Sequence, residues 1–466
     1  MGSKQALAIL FGLIALHIAL AANLASITPF RTPGALFGQR DPATGNPRKA
    51  ADIGAPDERE HVNYVLRLMH GGFPVFKPLG PNAGEEIEYH QPPAFYMLAG
   101  AWSTVTGVFL PPPPPTNEGK EMTQGDGVKL RWLNILIGAS TIAGIFYAVS
   151  WGLQRPEAAL VAAAFAAVLP MNAALDGAVS NDPLLICLCT WTLALTLRSM
   201  RNGWTNGSAV GVGVLAGLAI LTKTTGAVLL PVILLAILWK PAQRPNVRQI
   251  AMAIVPLLVL VLPWWARNQQ LYGDPLALKA FNQAFVNTAQ ASDMIKGLGP
   301  RGYWVDMVAS WTARSFIGVF GYMDIWLTIY KGQGVDHAMG GGVNTIYQVA
   351  WLALIVAFGG WVWSLRGEED SITKAANVVN GIFFVLIFAS FLRFNAQYFQ
   401  AQGRYLLPAL LPIAAGVGIG MIKVCRDRWK LALATVIFIF GIADTFTLLK
   451  LPAQFDQRIE LGRQLP

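Results

Sequence analysis

Charge is scarce in this sequence of 466 residues: only 13% are Asp, Glu, Lys or Arg, against 54% hydrophobic. Apolar runs of about 20 residues recur along the chain, so the composition excludes a soluble domain and indicates a polytopic helical membrane protein. Cysteine is equally sparse. Of the three present, Cys187 and Cys189 stand two apart on a predicted helix and face different ways, and Cys425 lies beside a basic loop, so no disulfide framework is expected. Ionisable residues are missing from the middle of most predicted spans, with His17 and Asp444 as the exceptions, and the two halves show no repeat. Transporters concentrate such groups at the midplane and are often built from repeats. A transporter or lipid-linked sugar flippase is therefore the alternative reading, and a non-catalytic envelope scaffold a further one.

Positive charge is present in excess, with a formal net charge of +9. Lys and Arg recur in short clusters between apolar runs, as cytoplasmic loops do, which argues against a nucleic-acid partner. The apolar runs predict eleven spans, at 5–27, 131–153, 157–175, 183–199, 207–222, 225–239, 249–266, 344–364, 376–393, 405–422 and 431–449. The first is longer than a signal-peptide core and lacks a good cleavage site, so it reads as a retained span with the N-terminus inside. A further segment, 93–110, opens with Pro92-Pro93 and is short for a span. With it outside, the connections holding Arg155, Arg198 with Arg201, Lys240 with Arg244 and Arg248, and Lys423 with Arg426, Arg428 and Lys430 all fall in the cytoplasm, as short basic loops should.

The expected fold is thus an all-α polytopic membrane protein, one membrane domain over residues 1–466, with extracytoplasmic juxtamembrane helices. A first outer loop covers 28–130, six spans fill 131–266, a second outer segment covers 267–343, four spans fill 344–449, and the tail 450–466 is outside. Pro111 to Pro115 read as an extended polyproline stretch without chemistry. The 267–343 segment is aromatic and amphipathic, either interfacial helices that cap an acceptor groove or a plain membrane-surface scaffold.

The chemistry-bearing residues cluster on the outer side. "DEREHVNYVLRLMH" (57–70) has apolar residues at helical spacing and a Gly71-Gly72 stop, and puts Asp57, His61 and Tyr64 on one stripe beside Glu58. Asp57 and Glu58 after Pro56 could simply complement the helix N-terminus. Asp182 in "VSNDPLL" starts a span on the same side, where an acid near hydrocarbon is usually functional; a capping role beside Pro183 is the plain reading. Two such acids could share a divalent cation, and His61 would suit a softer metal. Lys223 in "LTKTTG", Arg267 in "PWWARN", Arg404 in "QGRYLLP" and Arg131 in "KLRWLN" lie at outer span ends. Snorkelling explains any one of them, and is the better reading of Arg131. Several converging with carboxylates suggest a site for an anionic phosphate at the membrane boundary.

The order of these motifs along the chain, "PDE" after the first span, then "YHQPPAFY", "RWLN", "NDP", "LAGLAILTKTTG", "PWWARN" and "GRYLLP", resembles the GT-C superfamily of integral-membrane glycosyltransferases. Within it the chain is similar to bacterial relatives of protein mannosyltransferases and of lipid A aminoarabinose transferase. The resemblance runs from residue 5 to about 420. It implies an undecaprenyl- or dolichyl-phosphate sugar donor, an active site on the outer face of the inner or plasma membrane, and inverting transfer to a protein, lipid or glycan acceptor. It further implies Asp57 as the essential first-loop acid, with Glu58 beside it, Asp182 as the second-loop acid, and Arg404 as the arginine before "YLLP". Lys223 and Arg267 would join Arg404 on the carrier phosphate. Gln91 stands where some relatives have lysine, so His90 is expected to supply that phosphate contact. A divalent metal, held by Asp57, Asp182 and His61, is compatible with the resemblance, since metal dependence varies within the superfamily.

Overall fold

The computed structural model describes residues 3–40, 45–80, 82–113, 121–239, 242–286, 288–330, 342–367 and 370–465. Pro114 and Pro115 of the proline run and Lys240 of a basic loop lie outside these residues. Eight helices are long and apolar enough to cross a membrane: Lys4–Ile27, Gln124–Gly152, Asp182–Asn202, Val247–Tyr272, Thr345–Ser364, Ser371–Asn395, Gly403–Val424 and Trp429–Gln464. The pair Pro156–Ala167 and Pro170–Asp176, bent by 65°, makes a ninth if taken as one broken span. Among the described residues, eight of the eleven expected spans, or nine with the bent pair, are thus met by helices of crossing length, and the other two by shorter ones. The apolar helices Asn206–Thr222 and Thr224–Leu238 are short of the roughly 20 residues that a rise of about 1.5 Å per residue requires to cross the hydrocarbon. The segment 93–110 forms a helix only over Ala94–Thr106.

Alanine decides the centre of the bundle. Every residue from Ala158 to Ala167 is buried, and the small side chains let the following helices approach to backbone contact. Gly418 shows how close: a Cβ there would stand 2.4 Å from the carbonyl oxygen of Ala158. At the end of this helix, Pro170 restarts the chain in a new direction, and the turn is pinned by His17 of the first helix. His17 Nδ1–H donates to the Ala167 carbonyl at 3.0 Å, while Nε2 lies 2.8 Å from Asp176 Oδ2. His17 therefore serves the bend between two helices. Asp444 is buried, with neither carboxylate oxygen partnered among the described residues.

Two small features outside the bundle shape the cavity described below. The hairpin of Val319–Phe320 with Ile325–Trp326 is strapped by the long final helix, Trp429–Gln464. Arg458 Nε lies 3.3 Å from both Asp324 oxygens, and Lys450 donates to the carbonyls of Trp326 (2.6 Å) and Thr328 (2.9 Å). The Phe37 amide, from the strand Gly34–Arg40, donates to Asp324 at 2.8 Å.

Candidate active site

Four charged side chains from four parts of the chain meet at one end of a cavity of about 690 Å³, lined among others by Asp57, Asp182, Lys223 and Arg404. Asp57 precedes the helix Glu58–Gly71 in a left-handed conformation (φ 62°, ψ 2°) and its side chain makes no capping hydrogen bond. The capping role is thereby set aside. Its carboxylate is instead paired with Arg404 Nη2. Arg404 Nη1 lies 4.0 Å from Asp182 Oδ2, and Lys223 Nζ donates to Asp182 Oδ1 at 2.5 Å. Both cations also stand over the Tyr405 ring, at 5.2 Å for Arg404 and 5.5 Å for Lys223. Burial opposes charge on Asp57, but the Arg404 guanidinium outweighs it and holds the carboxyl below the ordinary aspartate range. Burial likewise works against the Lys223 ammonium, and Asp182 more than compensates.

What aligns the two acids is a buried network that includes Glu58 and Arg131. Both side chains are fully buried and paired at 2.6 Å. Arg131 also donates to the carbonyls of Ala25, Thr28 and Pro29, and Glu58 accepts from the Val179 amide at 2.7 Å. Asn134 of the same "RWLN" stretch donates to the Ala178 and Ser180 carbonyls. Asp57 and Asp182 are thus each set by a neighbour in sequence that is tied to Arg131 or Asn134. Arg131 is thus buried and does not snorkel, and Glu58 is paired behind Asp57 and is not among the residues that line the cavity.

The other expected residues divide. His61 lines the cavity, with Nδ1 at 2.9 Å from the Tyr96 hydroxyl and 3.7 Å from Glu88 Oε2, and burial pushes its pKa down. Tyr64, on the same stripe, stacks on Tyr96 with centroids 3.6 Å apart. Arg267 is not among the cavity residues; its Nη2 donates to the Pro74 carbonyl at 2.6 Å and its guanidinium covers Trp264 at 4.6 Å. Arg267 is therefore not brought to the Arg404–Lys223 pair, and its Nη1 is buried without a hydrogen-bond partner among the described residues. His90 lines the cavity, but Nδ1–H donates to the Ile87 carbonyl at 2.5 Å, and burial pushes its pKa down to about 4. A neutral ring with its proton on Nδ1 turns a lone pair outward at Nε2 and cannot grip a phosphate. Glu88, not expected from the sequence, also lines the cavity.

The expected metal set does not fit either. Among the described residues no three His, Cys, Asp or Glu side chains are grouped as metal ligands. Asp57 and Asp182 already face Arg404 and Lys223, and the His61 nitrogen nearest the acids of its surroundings is engaged by Tyr96. Two protein cations occupy the place by the carboxylates that a divalent ion would need. Part of the wall is apolar. Phe281 and Phe285 from the 267–343 segment pack against Phe394 of the Ser371–Asn395 helix, with ring centroids 6.1 and 6.3 Å apart, and Phe391, Tyr322 and Met323 also line the cavity.

Residues 120–266 match the family described as dolichyl-phosphate-mannose-protein mannosyltransferase. No curated protein sequence matches the chain. Among solved structures, the apo oligosaccharyltransferase of Archaeoglobus fulgidus is similar over 96% of this chain and 56% of its own, at 14% identity and a TM-score of 0.51. ArnT from Cupriavidus metallidurans bound to undecaprenyl phosphate is similar over 94% of this chain and 64% of its own, at 13% identity and a TM-score of 0.49. The oligosaccharyltransferase AglB from Archaeoglobus fulgidus, in complex with an inhibitory peptide and a dolichol-phosphate, is similar over 97% and 56%, at 13% and 0.43. The chain therefore spans between about half and two thirds of the length of the structures it matches. A mannosyltransferase-family segment over residues 120–266 thus lies within a helical membrane fold that the chain shares with the apo oligosaccharyltransferase.

Proposed function

We propose that the protein moves a sugar from a polyprenyl-phosphate carrier to a hydroxyl acceptor on the extracytoplasmic face of the membrane, with inversion at the anomeric carbon. The observation that carries this reading is the lining of the cavity, which joins the cations Arg404 and Lys223 to the phenylalanines Phe281, Phe285, Phe391 and Phe394. Cations that converge beside lipid-sized apolar space suit a phosphate on a prenyl chain. The membrane domain consists of eleven passes, the two short helices Asn206–Thr222 and Thr224–Leu238 included, with the N-terminus in the cytoplasm. The segments 28–130 and 267–343 and the tail from 450 stand outside, and the aromatic part of 267–343 caps the groove.

In the proposed reaction the acceptor oxygen attacks the anomeric carbon as the bond from that carbon to the phosphate oxygen breaks. The acceptor proton passes to Asp57, and the carrier departs as a polyprenyl monophosphate whose growing charge Arg404 and Lys223 stabilise. A donor phosphate that draws Arg404 toward itself loosens the pair with Asp57, which raises the basicity of Asp57 when a substrate is in place. No covalent sugar-enzyme intermediate is needed. The protein in detergent, given a radiolabelled polyprenyl-phosphate sugar and a mixture of envelope acceptors, should release labelled product. Detergent abolishes compartments, so a flippase would leave the donor intact there, and an unconsumed donor would replace this reading with the flippase one.

A further inference from the structure

The tight turn Ile87–His90 contributes a carboxyl and an imidazole to the cavity lining, and neither Lys nor Arg. Glu88 Oε2 is shielded from solvent and has no hydrogen-bond partner among the described residues; the nearest cation-forming group is His61, 3.7 Å away. The Glu88 side chain lines the cavity and is only 12% exposed, and a largely buried carboxyl with an unpartnered oxygen is costly, so such a group at a cavity wall marks where a ligand group completes it. Two residues on, His90 holds its proton on Nδ1 against the Ile87 carbonyl, which leaves Nε2 as an acceptor. Gln91, the next residue, lines the same wall and is neutral. A phosphate would meet two acceptors at this edge, whereas ring hydroxyls would meet complementary partners.

We propose that this turn reads the sugar of the donor, with the Glu88 carboxyl and His90 Nε2 accepting hydrogen bonds from its ring hydroxyls while Arg404 and Lys223 hold the phosphate. The inference rests on the carrier-phosphate reading above. Its placement agrees with the electrostatics: burial and the negative Asp57 raise the Glu88 pKa, while His61, Lys223 and Arg404 act to lower it, so the turn and the phosphate-binding cations lie within reach of each other's fields. The His61–Tyr96 hydrogen bond holds the His61 ring beside Glu88, with Nδ1 3.7 Å from Oε2.

The experiment compares binding of two probes in detergent, undecaprenyl phosphate and undecaprenyl phosphate carrying a hexose. The proteins are the parent, Glu88→Ala, and Glu88→Gln, which keeps the shape and one acceptor. Loss of one or more hydrogen bonds to sugar hydroxyls should weaken the hexose-bearing probe at least about tenfold in Glu88→Ala and less in Glu88→Gln. The bare carrier phosphate should bind all three proteins alike. Equal affinity of the parent and Glu88→Ala for the hexose-bearing probe overturns the inference, and so does an equal loss for both probes, which would make Glu88 structural. A parent that binds neither probe overturns the carrier-phosphate reading itself, an outcome distinct from either failure in the variants.

Discussion

Arg404 pairs with Asp57 through one terminal nitrogen and stands 4.0 Å from Asp182 through the other. A single guanidinium thus bridges the acid of the first outer loop and the acid that begins the helix Asp182–Asn202. Lysine has one point of charge and cannot span both. Arg404→Lys is expected to keep part of the activity, and Arg404→Ala to lose most of it with a raised donor KM, because the donor phosphate is already an anion in the ground state. Steady-state kinetics with varied donor concentration checks this; an unchanged KM in the alanine variant would take Arg404 off the phosphate.

Asp57 allows a clean substitution because of its backbone. At φ 62° asparagine is tolerated far better than alanine, so Asp57→Asn separates loss of the base from backbone strain. Turnover should fall at least about a hundredfold while thermal unfolding in detergent shifts little. Asp57→Ala should lose activity and stability together.

Glu58 invites the opposite outcome. Its carboxylate is fully buried between Arg131 and the Val179 amide, and removal of one partner of such a pair leaves an uncompensated charge, at a cost of about 3–5 kcal/mol. Glu58→Ala should therefore lower the unfolding temperature and the yield of folded protein. A normally stable Glu58→Ala protein with lost turnover would restore a chemical role to this residue.

Glu60 sets a pH dependence. Burial, with the negative Asp57 second, pushes its carboxyl up to about 8, well above the ordinary glutamate value of about 4.3. Between those two values the folded state holds a proton that the unfolded state has released, so this group's contribution to stability falls as pH rises from about 4 to about 8 and is level outside that window. The difference in unfolding temperature between Glu60→Gln and the parent, measured from pH 5 to pH 8.5, should grow in favour of the variant as pH rises. A difference that stays flat would remove the raised pKa.

The orientation can be tested independently. In a background without the three native cysteines, Glu121→Cys should react with an impermeant thiol reagent on intact cells, and Ala242→Cys only after lysis. Equal external labelling of both sites would overturn the proposed topology.

Much of the site was legible because its charges sit where charge is conspicuous. Asp182 beside Pro183, Lys223 between two apolar runs and Arg404 before "YLLP" each interrupt hydrocarbon-like sequence, and the structure brings all three to Asp57. Glu58 misled because adjacency in sequence is not adjacency on a helix: at 3.6 residues per turn the next side chain points about 100° away, here inward to Arg131. Arg131 and Arg267 lie at span ends as Arg404 does in sequence terms, and only their partners in space distinguish the three: Glu58 and three carbonyls for Arg131, Trp264 and the Pro74 carbonyl for Arg267, Asp57 for Arg404. Glu88 was overlooked within "GEEIEYHQPP", where three acids in four residues look like a solvated turn; the hint was that the last of them sits on the same short turn as His90. The bundle was legible as helices, but the lengths of Asn206–Thr222 and Thr224–Leu238 were set by turns at Lys223 and Thr205 that hydropathy does not see.

The strap from the final helix to the cavity hairpin makes the site a late product of biosynthesis. Asp57 is made early, Asp182 follows, but the guanidinium that joins them arrives only with Arg404, and the wall at Asp324 is held only once Arg458 has been made. A ribosome-bound chain that has inserted its first several helices carries the two acids without their shared cation. Under the proposed mechanism, the pairing of both acids with Arg404 therefore forms only after the helix that carries Arg404 has been made.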